Sequence, residues 1–273
     1  MAPIRVTKLE NIKEILRKDG STYATCMAES LYYYLFGFRT GKVIQISKKS
    51  QKPKIYNFES PITALDFSFS GGIWAAGTLS GALFIRDPGS SWGKREIPDF
   101  GNGEKINVIR FYNKSEALVA TSRELKHFKA SSYKLKISFA EKDIMESDGT
   151  ILEISPILLP TGQVYFAITK LDSVQLYSYM GGLVMKTHIK RPYNIPEEWR
   201  AVVSTYKFSD RVEVAVFWKN IIRVYNFTGE GIYHSNTKIL ENDVIWGAYW
   251  SEEVIVMVNI YHNMITRSRG FLY

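Results

Sequence analysis

Two segments of this chain share a pair of glycines that are separated by three residues and precede a similar run of side chains. GFRTGKVIQIS contains Gly37 and Gly41, and GTLSGALFIRD contains Gly77 and Gly81. In both places an apolar, strand-like stretch follows the second glycine. Glycine in a turn beside such a stretch is typical of short strands joined tightly. A chain that repeats this segment repeats its local structure, so the sequence predicts several copies of one antiparallel sheet.

The clearest copy begins at Pro61 and contains four strand-like segments. PITALDFSF alternates apolar and polar side chains, IWAAGTLSG closes on a glycine, and ALFIRD and KREIPDF follow. Alternation with a period of two indicates strands with one buried face. Four such segments joined by short turns predict an up-and-down sheet.

The pattern can be followed through the chain as six copies. They start at STYATCMAES, PITALDFSF, KINVIRFYNKSE, ILEISPILLPTG, RAVVSTYKFSDR and DVIWGAYWSEE, and the sixth has three strands. An additional strand, Ala2 to Glu10, precedes the first copy. Six copies in 273 residues give about 45 residues each, the period of four-stranded propeller blades. We predict an all-β protein, a six-bladed β-propeller forming one domain over 1–273, in which the N-terminal strand completes the last blade.

The ring arrangement has a physical reason. A lone four-stranded sheet exposes two edges and two apolar faces, whereas sheets stacked face to face bury the faces and leave only short edges. The segment SLYYYLFGF is apolar on both faces. This is expected of a strand that lies between neighbouring sheets.

One copy resembles a WD40 repeat. ITALDFSFSGGIWAAGTLSGALFIRD has a strand, a turn, the AAGTLSG segment, and a strand that ends in Asp87, where that family often has Trp-Asp. The chain contains no Gly-His pair and no Trp-Asp dipeptide. The resemblance implies propeller architecture without the Asp-His-Ser/Thr-Trp network of typical WD40 blades. Packing would then depend on the aromatic residues, which make up 14% of the chain.

Three segments interrupt the strand pattern. Residues 11–19 (NIKEILRKD) begin with a capping-box-like pattern, precede a glycine, and predict a short helix. The charged segment 141–149 is a candidate helical turn, and the segment 191–200 is a candidate helix with Pro196 at its first position. The alternative fold is therefore an α+β protein whose antiparallel sheets do not close into a ring.

Composition argues against several classes of protein. No stretch approaches the roughly 18 consecutive apolar residues of a membrane-spanning helix. The charged segment MAPIRVTKLENIKEIL lacks the apolar core of a signal peptide. Cys26 is the only cysteine, which excludes an intrachain disulfide and a cysteine-based metal site. We expect an intracellular, cytoplasmic protein.

Residues suited to catalysis or metal binding form no motif. The histidines, His127, His188, His234 and His262, are not spaced as metal ligands. No GxSxG elbow and no phosphate-binding loop occurs. We predict no catalytic activity, no cofactor and no metal. The third functional hypothesis is a hydrolase or lyase whose composite site, built from several copies, lies in the central channel.

Basic residues cluster in three of the copies, and the formal net charge is +8. The predicted partner-binding residues are Lys48, Lys49, Lys52, Lys54, Lys126, Lys129, Lys190 and Arg191. On outer strands they would form a basic belt for nucleic acid, an acidic protein or lipid headgroups. The alternative interpretation is that edge lysines prevent pairing between sheets.

Three tryptophans near strand ends, Trp199, Trp218 and Trp246, are predicted to line one surface of the ring. Aromatic residues of this kind are enriched in protein interfaces.

The leading functional hypothesis is a non-catalytic interaction scaffold or a structural component of an assembly, with other proteins as partners and an oligomer possible. A nucleic-acid or anionic-surface binder is the first alternative. Glutamine occurs only at Gln45, Gln51, Gln163 and Gln175, and low Gln and Cys with abundant Ile, Lys and Tyr suggest a heat-adapted source. A structural virion or coat protein from such a source is the second alternative.

Overall fold

A computed structural model describes residues 14, 16, 24–88, 93–130, 135–142, 150–159, 161–179, 182–228, 230–241, 245–250, 254–259 and 264–268. In these residues, 23 strands form six antiparallel sheets in which the strands follow sequence order. Their boundaries match the six predicted copies, so the repeat is confirmed.

The first three sheets are built as follows. Sheet 1 contains β1 (Ala24–Glu29), β2 (Tyr33–Phe38), β3 (Lys42–Ser47) and β4 (Pro53–Asn57). Sheet 2 contains β5 (Ile62–Phe67), β6 (Trp74–Thr78), β7 (Leu83–Arg86) and β8 (Lys94–Ile97). Sheet 3 contains β9 (Val108–Phe111), β10 (Glu116–Ala120), β11 (Glu124–Ala130) and β12 (Leu135–Lys142).

The remaining sheets have the same order. Sheet 4 contains β13 (Glu153–Leu158), β14 (Val164–Thr169), β15 (Ser173–Tyr179) and β16 (Leu183–Lys190). Sheet 5 contains β17 (Ala201–Lys207), β18 (Val212–Trp218), β19 (Ile221–Phe227) and β20 (Ile232–Ile239). Sheet 6 contains β21 (Ile245–Trp250), β22 (Val254–Asn259) and β23 (Met264–Ser268).

Antiparallel order gives each sheet two distinct ends. The turns after the first and third strands share one end, the odd-turn end, which in sheet 1 contains residues 30–32 and 48–52. The turn after the second strand and the connection to the next sheet share the other, the even-turn end, which in sheet 1 contains 39–41 and 58–61. Side chains far apart in sequence therefore meet at one end of a sheet.

The chain divides into two compact units. The first unit comprises Met1–Thr121 and Phe128–Ile137, and the second comprises Ser122–His127 and Ser138–Tyr273. In the first unit, β1 and β2 pack against β5, and β5 and β6 pack against β9. In the second, β13 and β14 pack against β17, and β17 packs against β21. Each pair of sheets buries apolar side chains between its faces, and this burial stabilises the stack.

The repeated glycine pairs fit this packing. A Cβ at Gly37 would lie 2.6 Å from Cγ2 of Ile62, and a Cβ at Gly77 would lie 2.4 Å from Cγ2 of Ile106. The first glycine of each pair therefore lets the next sheet approach closely. The second has the left-handed φ that a tight turn needs, +82° at Gly41.

The predictions for the three irregular segments have different outcomes in the structure. Glu14 and Leu16 are helical, and Leu16 packs against apolar side chains of β2 and β3, while the rest of 11–19 lies outside the described residues. Residues 141–142 belong to β12, and 143–149 lie outside the described residues. The predicted strand over Ala2 to Glu10 also lies outside them, so ring closure and a single domain stay predictions.

The helix predicted at Pro196 is wrong. Residues 191–200 form two turns, in which Ile195 N donates to Pro192 O at 3.0 Å and Trp199 N donates to Pro196 O at 3.1 Å. Strand β17 begins at Ala201. Too few residues separate Pro196 from that strand to complete a hydrogen-bonded helix. In the described part of the chain, no helix is long and apolar enough to cross a membrane.

Candidate protein-interaction site

The lysines of the first copy lie at the odd-turn end of sheet 1. Lys48 forms an ion pair with Glu29, and its Nζ lies 4.7 Å from the centroid of the Tyr34 ring. Lys49, Lys52 and Lys54 are exposed and form no ion pair with any residue that the structure describes. These three cations are available to a partner.

Lys126 differs from the prediction. Its side chain is buried, and its Nζ lies 2.8 Å from Oε2 of Glu124. β11 is an inner strand of sheet 3, and four consecutive side chains from Leu125 are buried. Lys126 is therefore not part of an exposed belt. Lys129 is exposed and paired with Glu116 at 2.8 Å.

The tryptophans do not form one surface. Trp218 is fully buried in the core between sheets 4 and 5, which corrects its assignment to a surface. Its strand β18 is buried throughout because it lies inside the stack. Trp199 packs against the edge of this core, and Nζ of Lys219 lies 5.8 Å from the centroid of its ring. The side chain of Trp246 lies outside the described part of the chain.

Lys190 and Arg191 lie beside an open cavity of about 540 Å³ at the even-turn end of sheet 4. We call this cavity the loop pocket. Its lining comprises Asp172 from the β14–β15 turn, His188 and Lys190 from the end of β16, and residues 191–197 from the connection to sheet 5. The β14–β15 turn and the continuous segment 188–197 thus converge here, because the antiparallel order brings their ends together.

Hydrogen bonds hold the connection in place. Arg191 N donates to the carbonyl oxygen of Asp172 at 2.7 Å, which ties the connection to the β14–β15 turn. The guanidinium Nη1 of Arg191 donates to the carbonyl oxygen of Glu197 at 3.2 Å. Nη1 of Arg223 donates to the carbonyl oxygen of Lys190 at 3.4 Å. The connection is therefore held by sheet 4 through Asp172 and by sheet 5 through Arg223.

The charges around Arg191 are unequally exposed. Its side chain is 16% exposed, whereas Glu197, whose Oε1 lies 3.8 Å from Nη2 of Arg191, is 91% exposed. A pair at this distance with one partner in solvent contributes little to stability. An incoming acceptor can therefore reach Arg191 without breaking a strong ion pair.

An aromatic side chain stands at the rim of the pocket. Tyr193 is fully exposed, although its neighbours Pro192 and Ile195 are buried and anchor the loop. Within the cavity wall, Nε2 of His188 is buried and has no hydrogen-bond partner among the described residues. The pocket thus offers a ring for apolar contact and several unused hydrogen-bonding groups.

The sequence indicates only part of this site. Lys190 and Arg191 were predicted to bind a partner, while Asp172, His188 and Tyr193 were not assigned to it. The available signal was RPYNIPEEWR, a loop rich in proline and aromatic residues between two strand patterns. The cavity itself depends on tertiary contacts.

The chain matches no family model and no curated protein. It is similar to three solved structures. The β-propeller domain of Cps50 (Swd1) from Myceliophteria thermophila has a TM-score of 0.63 and 12% identity, with 90% of this chain and 82% of that chain covered. U3-55K has a TM-score of 0.62 and 13% identity, with 88% and 74% covered. The WD40 repeats of RRP9 have a TM-score of 0.62 and 12% identity, with 87% and 73% covered.

These similarities extend over most of the chain, and at such low identity they establish the fold alone. They agree with the six sheets, with the strand order in each sheet and with the sequence resemblance around Asp87. The chain has the fold of a divergent WD40-like β-propeller.

Proposed function

We propose that this protein is a non-catalytic interaction module that binds an extended segment of a partner protein at the loop pocket. In this role it would act as a scaffold or structural component of an assembly. Propeller folds suit such a role because many loops are presented on a rigid framework of strands.

The observation that carries the proposal is the complete exposure of Tyr193 beside a cavity of about 540 Å³. Pro192 and Ile195 are buried and hold the backbone of the loop, so binding has to fix only the two side-chain torsions of Tyr193. Tyrosine, arginine and tryptophan are the residues most enriched at the energetic centres of protein interfaces. Tyr193 and Arg191 are two of these residues in one pocket.

The hydrogen-bonding groups of the pocket favour a peptide. Arg191, Lys190 and Asn194 can donate, and the carboxylates of Asp172 and Glu197 can accept. An extended peptide presents carbonyl oxygens and N–H groups along its length, so it can use both kinds of group. Because positive and negative side chains are mixed here, the pocket is not specialised for a polyanion.

Two observations support a non-catalytic role. The part of the chain that the structure describes contains no group of three or more His, Cys, Asp or Glu residues placed to hold a metal ion. Burial raises the pKa of the Cys26 thiol to about 11. This thiol is therefore protonated at neutral pH and is a poor nucleophile.

The test uses a phage-displayed library of random-sequence peptides, selected on the full-length chain. Affinities of the selected peptides are then measured for the wild type, for Tyr193→Ala, and for the control Tyr233→Ala, an exposed tyrosine on β20. We expect Tyr193→Ala to weaken binding by about tenfold or more and the control to bind as the wild type does. Failure to select any peptide, or equal binding by Tyr193→Ala, would overturn the proposal.

A further inference from the structure

Three large apolar side chains project from neighbouring turns at the odd-turn ends of sheets 1 and 2. Leu31 and Tyr32, in the β1–β2 turn, are 79% and 60% exposed, and Phe69, in the β5–β6 turn, is 55% exposed. Both turns line a cavity of about 410 Å³, to which Lys48 and Lys49 also contribute. Clustered exposed apolar groups rimmed by polar ones mark an interaction surface.

The turns that carry these side chains are well ordered by local hydrogen bonds. Oγ of Ser30 accepts from the backbone N–H of Tyr32 at 3.3 Å and of Tyr33 at 3.1 Å. Ser30 N donates to the carbonyl oxygen of Tyr33 at 2.9 Å. In the second turn, Ser68 N donates to the carbonyl oxygen of Ile73 at 2.9 Å. The hydrogen bonds within these turns therefore hold Leu31 and Phe69 in their exposed positions.

Three lysines that form no ion pair with a described residue lie on turns at the same end of the sheets. Lys49 and Lys52 lie on the β3–β4 turn, and Lys114 lies on the β9–β10 turn. That third turn adjoins Phe69, whose backbone N donates to the carbonyl oxygen of Asn113 at 3.4 Å. None of the three lysines forms an ion pair with a described residue.

Two acidic residues near this end form ion pairs with lysines outside the unpaired set. Glu29 is paired with Lys48, and Glu116 is paired with Lys129. The three unpaired lysines therefore leave the surface positive around its apolar tips. We call the set Leu31, Tyr32, Phe69, Lys49, Lys52 and Lys114 the tip surface.

We propose that the tip surface docks on a lipid bilayer that contains anionic lipids. Leu31, Tyr32 and Phe69 enter the interface between headgroups and acyl chains, and Lys49, Lys52 and Lys114 contact the anionic headgroups. Apolar insertion and electrostatic attraction together are what stable interfacial binding requires, since either one alone is marginal. This inference is independent of peptide binding at the loop pocket.

The chemistry of the tips favours lipid over single-stranded nucleic acid. Bases stack on aromatic side chains, but Leu31, the most exposed of the three tips, is aliphatic. Hydrocarbon accepts aliphatic and aromatic side chains alike. Lysines on the other turns at the same end of the sheets also match a flat anionic surface.

The experiment measures co-sedimentation of the full-length chain with vesicles. One set contains phosphatidylcholine alone and the other contains phosphatidylcholine with phosphatidylserine. We expect binding to the second set that decreases as salt increases. Lys49→Gln, Lys52→Gln and Lys114→Gln combined should reduce partitioning by about a hundredfold, since each lysine near an anionic surface contributes roughly 1 kcal/mol. Leu31→Ser combined with Phe69→Ser should reduce it by about tenfold or more.

Matched controls come from the opposite end of the same sheets. Leu79, 51% exposed on the β6–β7 turn, and Arg39, exposed on the β2–β3 turn, are changed to Ser and Gln. These controls should bind as the wild type does, and circular dichroism should confirm that every variant is folded. Three results would overturn the proposal. The first is equal binding to both kinds of vesicle, and the second is an equal loss of binding in the control variants. The third is that a single-stranded oligonucleotide displaces the chain from vesicles and binds the Leu31→Ser, Phe69→Ser variant as well as it binds the wild type.

Discussion

The hydroxyl group of Thr63 donates to the backbone carbonyl oxygen of Ile106 at 2.6 Å and so ties β5 of sheet 2 to the segment that leads into β9 of sheet 3. Thr25 of β1 makes the same bond to the carbonyl oxygen of Ile62 in β5, also at 2.6 Å. Both threonines stand where the register of their strand shifts by one residue. The repeat therefore encodes a contact between successive sheets as well as the sheets themselves.

Thr63→Val should destabilise the protein by about 1 kcal/mol. Valine preserves the branched shape and removes the donor, which leaves the carbonyl oxygen of Ile106 without this partner. The free energy of unfolding is measured from urea titrations. Thr63→Ser keeps the donor and is the control. Equal losses in the two variants would show that the hydroxyl group contributes nothing.

Gly77→Ala should destabilise the protein by about 1–3 kcal/mol, because the added methyl group overpacks the contact with Ile106. Gly72 provides a matched control in the same sheet, since its nearest neighbour would lie 3.9 Å from an added Cβ. Gly72→Ala should leave the urea midpoint nearly unchanged. Similar midpoints for both variants would contradict the close approach of sheets 2 and 3.

Asp66 should make the free energy of unfolding of the protein fall as the pH rises from about 4 to about 6. Burial raises its pKa from 3.8 to about 6, and the offset by Arg110 and by the N–H of Phe111, which donates to Oδ2 at 2.7 Å, is only partial. Between these values the folded chain holds a proton that the unfolded chain has lost, so unfolding becomes easier as pH rises and then levels off above about pH 6.

The variant Asp66→Asn isolates this effect. The difference in unfolding free energy between wild type and variant should change by up to about 3 kcal/mol between about pH 4 and about pH 7, the equivalent of two pKa units. Urea titrations at several pH values measure it, and other titrating groups cancel in the difference. Parallel pH profiles for the two proteins would disprove the raised pKa.

Cys26 should react slowly with thiol reagents in the folded protein. Its pKa of about 11, raised chiefly by burial, lowers the thiolate fraction near pH 8 by about a hundredfold relative to an unperturbed thiol. Iodoacetamide labelling followed by mass spectrometry compares the native chain with the chain in urea. Because Cys26 is the only cysteine, the label reports one site. Equal labelling rates would contradict the assignment.

The strands were predictable because their signals are local. Alternating side chains and short turn segments recur within each copy, and they located all six sheets from ATCMAE in β1 to MITRS in β23. The helix at Pro196 was wrong since a favourable first residue does not provide the length that a helix needs.

Burial between sheets was not predictable from the repeat. Lys126 and Trp218 follow the same alternation as exposed residues elsewhere, yet both are buried because neighbouring elements cover them. The loop pocket likewise depends on Asp172, His188 and Tyr193, which approach one another only through the strand order of sheet 4.

Period-two patterning and turn chemistry act over a few residues, so the amino-acid order is sufficient to specify where each strand starts, which strands pair and how often the unit recurs. The sheet face that each face packs against is set by contacts between residues some forty positions apart, such as the hydrogen bond from Thr63 to Ile106. Such contacts form only when whole sheets stack, so the side chains that they bury cannot be identified from the pattern of one strand alone.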